Sequence, residues 1–205
     1  MNERTAADAL SDLILARHDF LAAYSSLERL VAHSFLGAES SDSALDATAA
    51  NHLLRYADVL SHASGARHRE LAYATVALLK EHSQASELGE DFGDRLAAVA
   101  EAVLVQLGNF PGIRTLQKGG GSRYALPMSR GTVRIAKEIL QKTHQGDAVL
   151  TDAQYEITER LRGEDYFSFS GPTSLGKSFI IKDVLYGRRS EGRSQRPLRC
   201  CLGSD

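Results

Sequence analysis

This chain of 205 residues has only two cysteines, Cys200 and Cys201, adjacent near its end. Neighbouring cysteines give neither a disulfide framework nor the separated pairs of a zinc site, which argues against redox or metal-thiolate chemistry. No apolar run approaches the ~20 residues that cross a bilayer, and the opening Met-Asn-Glu-Arg-Thr-Ala-Ala-Asp does not resemble a secretory signal. No membrane partner is therefore expected, and the cytoplasm is the expected compartment. A surplus of one charge is missing too. The formal net charge of −2 and pI near 6.4 provide no bulk basic field for nucleic acid, so such contact would need a local patch. With 43% hydrophobic residues, the chain can build one good core or two small ones.

Helical periodicity dominates the first half. Thr5 and Asp8 form a capping-box pair, and Leu10, Leu13, Ile14, Leu21, Tyr24, Leu27 and Val31 recur at three, four and seven, which predicts one long amphipathic helix ending near Gly37. Residues 38 to 43, Ala-Glu-Ser-Ser-Asp-Ser, read as a loop whose Asp or Ser can cap the next helix. Leu53, Leu54, Ala57 and Leu60 then mark one helix face before the break at Ser64-Gly65. Leu71, Thr75, Leu78 and Leu79 mark the next, and Phe92, Leu96, Val99, Val103 and Leu107 mark a fourth stripe that stops at Gly108. Such helices predict an antiparallel bundle or short solenoid over residues 1 to 108, and no repeat chooses between them. Tyr56, Tyr73, His62, His68 and His82 lie on or beside these stripes and read as packing or solvated residues.

Residues 109 to 130 contain Asn-Phe-Pro-Gly, three consecutive glycines and Leu-Pro-Met-Ser-Arg-Gly, a composition that predicts a linker. A helix from about Thr132 to Thr143 should follow, burying Val133, Ala136, Ile139 and Leu140, with Asp147 in the turn after it. Next come a short helix from Asp152 to Arg162 ended by Gly163, a strand from Tyr166 to Ser170, and renewed helical character from Ser178 to Tyr186.

Between that strand and that helix stands Gly171-Pro-Thr-Ser-Leu-Gly176-Lys177-Ser178, matching G-x-x-x-x-G-K-[ST] at every fixed position. The glycines let the backbone turn so that successive amides, from Ser174 to Ser178, converge on phosphate oxygens at the positive end of the next helix. Lys177 would reach the β and γ phosphates and the Ser178 hydroxyl would ligate Mg2+. The expected nucleotide-binding set is Gly171, Thr173, Ser174, Leu175, Gly176, Lys177 and Ser178. The structural alternative is a Gly-rich turn with a solvated Lys177.

Thr-Asp-Ala-Gln154, an intervening helix and Phe-Ser-Phe-Ser-Gly-Pro-Thr-Ser-Leu-Gly-Lys-Ser resemble the opening of the first motor domain of DEAD/DEAH-type superfamily 2 helicases. In that family a glutamine precedes the loop by the spacing that separates Gln154 from Gly171. The resemblance covers residues 150 to 186 and implies a RecA-like α/β P-loop domain, ATP as ligand, nucleic acid as partner, and Gln154 as reader of the adenine edge. Gln154 also completes a capping box with Thr151, so two roles compete for one side chain. The helical part is similar to the all-helical leader of large bacterial helicases of DNA processing or phage defence, which leaves room for a protein partner.

The acidic pair that helicases use to hold magnesium and position water does not follow Ser178. Asp183 and the acids near Glu90 lie on helical segments, and no catalytic residue is assigned. Residues 188 to 205, a basic tail, read as disordered. They suggest a frameshift or truncation product of a longer gene or, alternatively, an Arg-rich arm for nucleic acid. The expected fold is thus mainly α: a helical domain (1–108), a linker (109–130) and the incomplete start of a motor domain (131–187). The expected function is an ATP-binding portion of a DNA or RNA helicase that does not turn over alone; the alternative is a helical interaction protein with a vestigial loop.

Overall fold

The computed structural model describes residues 5–37, 45–85, 88–118, 123–144, 146–163, 168 and 175–190. These residues are mainly α: α1 (Ala6–Leu15), α2 (His18–Leu36), α3 (Ala47–Ser61), α4 (Ala66–Ala85), α5 (Glu90–Leu107), α6 (Phe110–Lys118), α7 (Met128–Leu140), α8 (Asp152–Gly163) and α9 (Lys177–Ser190). No described residue lies in a strand; the only sheet-like pairing among them is one antiparallel bridge, Lys142 with Val149. The α/β part of the expected fold therefore finds no support there. Of the segment expected as a strand only Ser168 is described, outside any regular element. No helix among the described residues is long and apolar enough to cross a membrane. The chain divides into two compact units, Met1–Val133 and Arg134–Asp205.

In the first unit the expected single long helix is two. Arg17 leaves the helical region, at φ −80° and ψ 125°, and its guanidinium donates to both carboxylate oxygens of Asp19 at 2.8 and 2.6 Å. Asp19 in turn accepts the Phe20 amide at 2.9 Å. The break shifts the phase of the apolar face. Phe20, Leu27 and Val31 are buried, whereas Leu21, which a continuous helix would turn inward, is 47% exposed.

The α1 capping box forms as expected, with Thr5 Oγ1 accepting the Asp8 amide at 3.2 Å and Asp8 accepting the Thr5 amide at 3.1 Å. Asp8 also accepts from the amide and hydroxyl of Ser64, at 2.8 and 2.9 Å, which ties α1 to the turn between α3 and α4. These bonds, the Thr5 hydroxyl's first, hold the Asp8 carboxyl well below the usual carboxylate range. The cap of α3 is Asp46, accepting from Ala49 at 2.7 Å; the stretch 38 to 43 expected to provide it lies outside the described residues.

The core is built by α2 to α5. Leu27, Leu53, Ala57, Leu60, Ala72, Val76, Leu79, Phe92, Leu96 and Val103 form one cluster, and Phe20 meets Tyr56 edge to face with centroids 5.6 Å apart. α3 packs on α4 and α5, which pack on each other, and α2 lies on both α3 and α4. The main contacts join helices one or two places apart in the chain, a pattern that an open bundle and a short solenoid of helix pairs share.

His82 is buried in this bundle beside Val31 and Glu81, and burial pushes its pKa down. A buried neutral imidazole whose unfolded counterpart protonates near ~6.5 contributes stability that is lost as pH falls below that value. The unfolding midpoint of the native chain should therefore decline between pH 7 and pH 5 more steeply than that of His82→Gln in urea titrations. Parallel profiles would show that His82 titrates normally.

The stretch expected as a linker is partly helical. α5 ends at Gly108, whose φ of 68° suits glycine, with the Asn109 amide returning to the Leu104 carbonyl at 2.8 Å. Asn109 Oδ1 then accepts the Gly112 amide at 3.0 Å, starting α6. Pro111 sits in that first turn, where its missing N–H costs nothing. Phe110 and Ile113 are buried. Farther on, Arg130 Nη2 donates to Asp58 at 2.8 Å and Nη1 to the Ala102 carbonyl at 3.4 Å, and the guanidinium also meets His62. Burial first, and then this cation, lower the His62 pKa.

α7 straddles the division between the units, and its expected buried side is not buried. No α7 residue is enclosed; Met128 is 89% and Ile139 70% exposed, with Ile135 and Leu140 also open. The opposite, polar side is the one held: Arg130 as above, and in the second unit Lys137 and Gln141, which donate to the two oxygens of Asp152 at 2.6 and 2.8 Å.

The second unit has a small core of Leu161, Ile180 and Val184, with Ile157 and Leu175 packed against it. α8 ends at Gly163 as expected. α9 runs to Ser190, through the first three residues assigned to the tail; residues 191–205 lie outside the described residues.

Candidate functional site

The second half of the Gly-rich loop and the start of α8 meet in the second unit. Thr151 caps α8 by accepting the Gln154 amide at 3.2 Å, and Gln154 Oε1 accepts the Thr151 amide at 3.0 Å, a complete capping box. Gln154 Nε2 then donates to the Leu175 carbonyl at 3.0 Å. One side chain thus both starts a helix and holds the loop. Gln154 keeps one lone pair on Oε1 and one hydrogen on Nε2.

Leu175 is fixed at both ends: its carbonyl by Gln154, its side chain by the Leu161, Ile180 and Val184 cluster. Gly176 follows at φ 73°, and a Cβ there would come within 3.2 Å of Gln154 Nε2, so backbone geometry and space both call for glycine. Its carbonyl accepts the Phe179 and Ile180 amides at 2.9 and 3.1 Å, closing the first turn of α9.

Lys177 and Ser178 are the first two residues of α9. Their amides donate to no described residue, as expected at a helix start, where unpaired N–H groups and the helix dipole favour an anion. Lys177 forms no ion pair with a described acid, and Ser178 is exposed. Gly171, Thr173 and Ser174 lie outside the described residues. The structure therefore brings together Gln154, Leu175, Gly176, Lys177 and Ser178.

Asp183, one helical step below, is buried and accepts the His144 amide at 2.7 Å; its other oxygen lies 3.4 Å from His144 Nδ1 and 3.8 Å from Arg162. It ties His144 to α9. The remaining described acids of the second unit are paired as well: Glu138 with Arg134, Asp147 with Lys142, Asp152 with Lys137, Glu156 with Arg160 and Glu159 with Arg162. Among the described residues no three His, Cys, Asp or Glu side chains gather as a metal site. The donors present suit phosphate oxygens, with the Ser178 hydroxyl as the one ligand offered to a cation.

Sequence reasoning missed the anchoring role of Leu175, whose apolar side chain inside a polar loop was the available signal. It also missed the Asp183 clamp, which depends on a partner 39 positions away. Comparison with family models, curated proteins and solved structures finds no match for this chain.

Proposed function

We propose that the second unit binds the phosphates of ATP at the start of α9, as the nucleotide-binding portion of a DEAD/DEAH-type helicase motor acting on DNA or RNA. The observation that carries this is Gly176, Lys177 and Ser178 at the positive end of a helix, where the Lys177 and Ser178 amides and the Lys177 ammonium pair with no described residue. On this reading Leu175 borders the cradle, and Gly171, Thr173 and Ser174, which lie outside the described residues, are the motif's remaining members. Ser178 would hold Mg2+, which when bound neutralises phosphate charge. Gln154 would meet adenine through its remaining lone pair and hydrogen without giving up the cap. The described acids of the second unit are engaged in ion pairs, and hydrolysis by this chain alone is not part of the proposal.

Calorimetric titration with Mg·ATP tests the reading. Weak saturable binding is expected for the native chain and none for Lys177→Ala, with phosphate release at background for both, with or without nucleic acid. Binding that survives Lys177→Ala would place nucleotide elsewhere. A second reading is a helical interaction protein with a vestigial loop, which draws on the helical make-up of the first unit. Absence of binding by the native chain would favour it.

A further inference from the structure

Between α3 and α5 of the first unit lies a cleft of about 380 Å³, lined by Asn51, Leu54 and Arg55 from α3, Ala98 and Val99 from α5 with Arg95 beside them, and Tyr124. Its volume falls within the range of small-molecule sites, roughly 300–1,000 Å³. Leu54, Ala98 and Val99 give it an apolar wall. Tyr124 is held over it by a hydrogen bond from its hydroxyl to Asp91 at 3.2 Å. Asp91 also pairs with Arg95 at 3.1 Å, which offsets that cation and fixes its guanidinium. Asn51 donates to the Ala47 carbonyl at 2.6 Å and keeps its side-chain oxygen available. Arg55 is different: it is exposed, and it pairs with no described residue.

An apolar wall under a ring, with one uncompensated guanidinium at the rim, selects a ligand by two features at once. The apolar part gains by leaving water, and the anionic end gains a charge-assisted bond to Arg55. We infer that this cleft binds a small organic acid, a single ring or short alkyl chain bearing one carboxylate. The inference is independent of nucleotide binding, since it uses no residue of the second unit.

The test uses the full chain and two isosteric probes, 4-phenylbutyrate and 4-phenylbutan-1-ol, titrated by two-dimensional NMR. The acid should bind at least ~10-fold more tightly than the alcohol, with shifts centred on Leu54, Ala98, Val99 and Tyr124. Arg55→Gln, a change at an exposed position, should erase that preference. Val99→Trp should fill the cleft and weaken both probes. Equal affinity for acid and alcohol, an acid preference that persists in Arg55→Gln, or no saturable binding overturns the inference. Tighter binding of the tripeptide acetyl-Gly-Gly-Phe than of 4-phenylbutyrate would reassign the cleft to a peptide terminus and overturn the small-ligand reading.

Discussion

Replacing Phe92 with alanine is expected to lower the unfolding free energy by about 3–5 kcal/mol, a large share of the ~5–15 kcal/mol that holds a domain together. Phe92 is 1% exposed and belongs to the one cluster that α2, α3, α4 and α5 build together. Its loss removes ring surface from the core and leaves a cavity that four helices cannot all collapse into. Urea unfolding followed by helical circular dichroism should show a lower midpoint with an unchanged slope. Tyr73→Ala is the control, because that ring stands half in water on the outer side of α4. Similar midpoints for the two variants would mean that Phe92 is not central to the core.

The second large effect is expected at Asp183. Asp183→Ala should cost about 1–3 kcal/mol locally, because it strands the His144 amide; Arg162 keeps Glu159 as its partner. The readout is local. The Thr143 amide, bonded to the Ala148 carbonyl at 3.0 Å, and the Leu150 amide, bonded to the Gln141 carbonyl at 2.9 Å, should lose hydrogen-exchange protection. Asp183→Asn keeps an acceptor for the His144 amide and should restore part of the protection. Full protection in Asp183→Ala would show that residues 142–149 are held by something else.

Local rules made much of the fold readable. The stripes through Leu53 to Leu60 and Phe92 to Val103, the stops at Gly37, Gly108 and Gly163, and the two capping boxes each depend on residues within about one turn. The failures share a cause: distant partners decided the outcome. The spacing of Ile14 to Leu21 fits an unbroken helix, and only the packing of Phe20 onto Tyr56 shows why the chain breaks at Arg17. Pro111 and Gly112 look like breakers until Asn109 is recognised as their cap. The apolar stripe of α7 predicts the wrong inward face because Asp58 and Asp152, 72 and 15 positions from the arginine and lysine they hold, pull on the other one. At the candidate site the motif named Gly176, Lys177 and Ser178, but the contact between Gln154 and Leu175 spans 21 positions and could be seen only in three dimensions.

That contact makes helix order and loop order a single equilibrium. The amide group of Gln154 closes the first turn of α8 with its oxygen and grips the Leu175 carbonyl with its nitrogen, so fraying at one end loosens the other. By thermodynamic linkage, an anion bound as proposed at the amides of Lys177 and Ser178, if it steadied Leu175, would also favour the wound state of a helix it never touches. The reverse holds equally. A solvent change that winds α8 would tighten the grip on the proposed anion, and its occupancy would become measurable as slowed amide exchange of Tyr155, which donates to the Thr151 carbonyl at 2.8 Å.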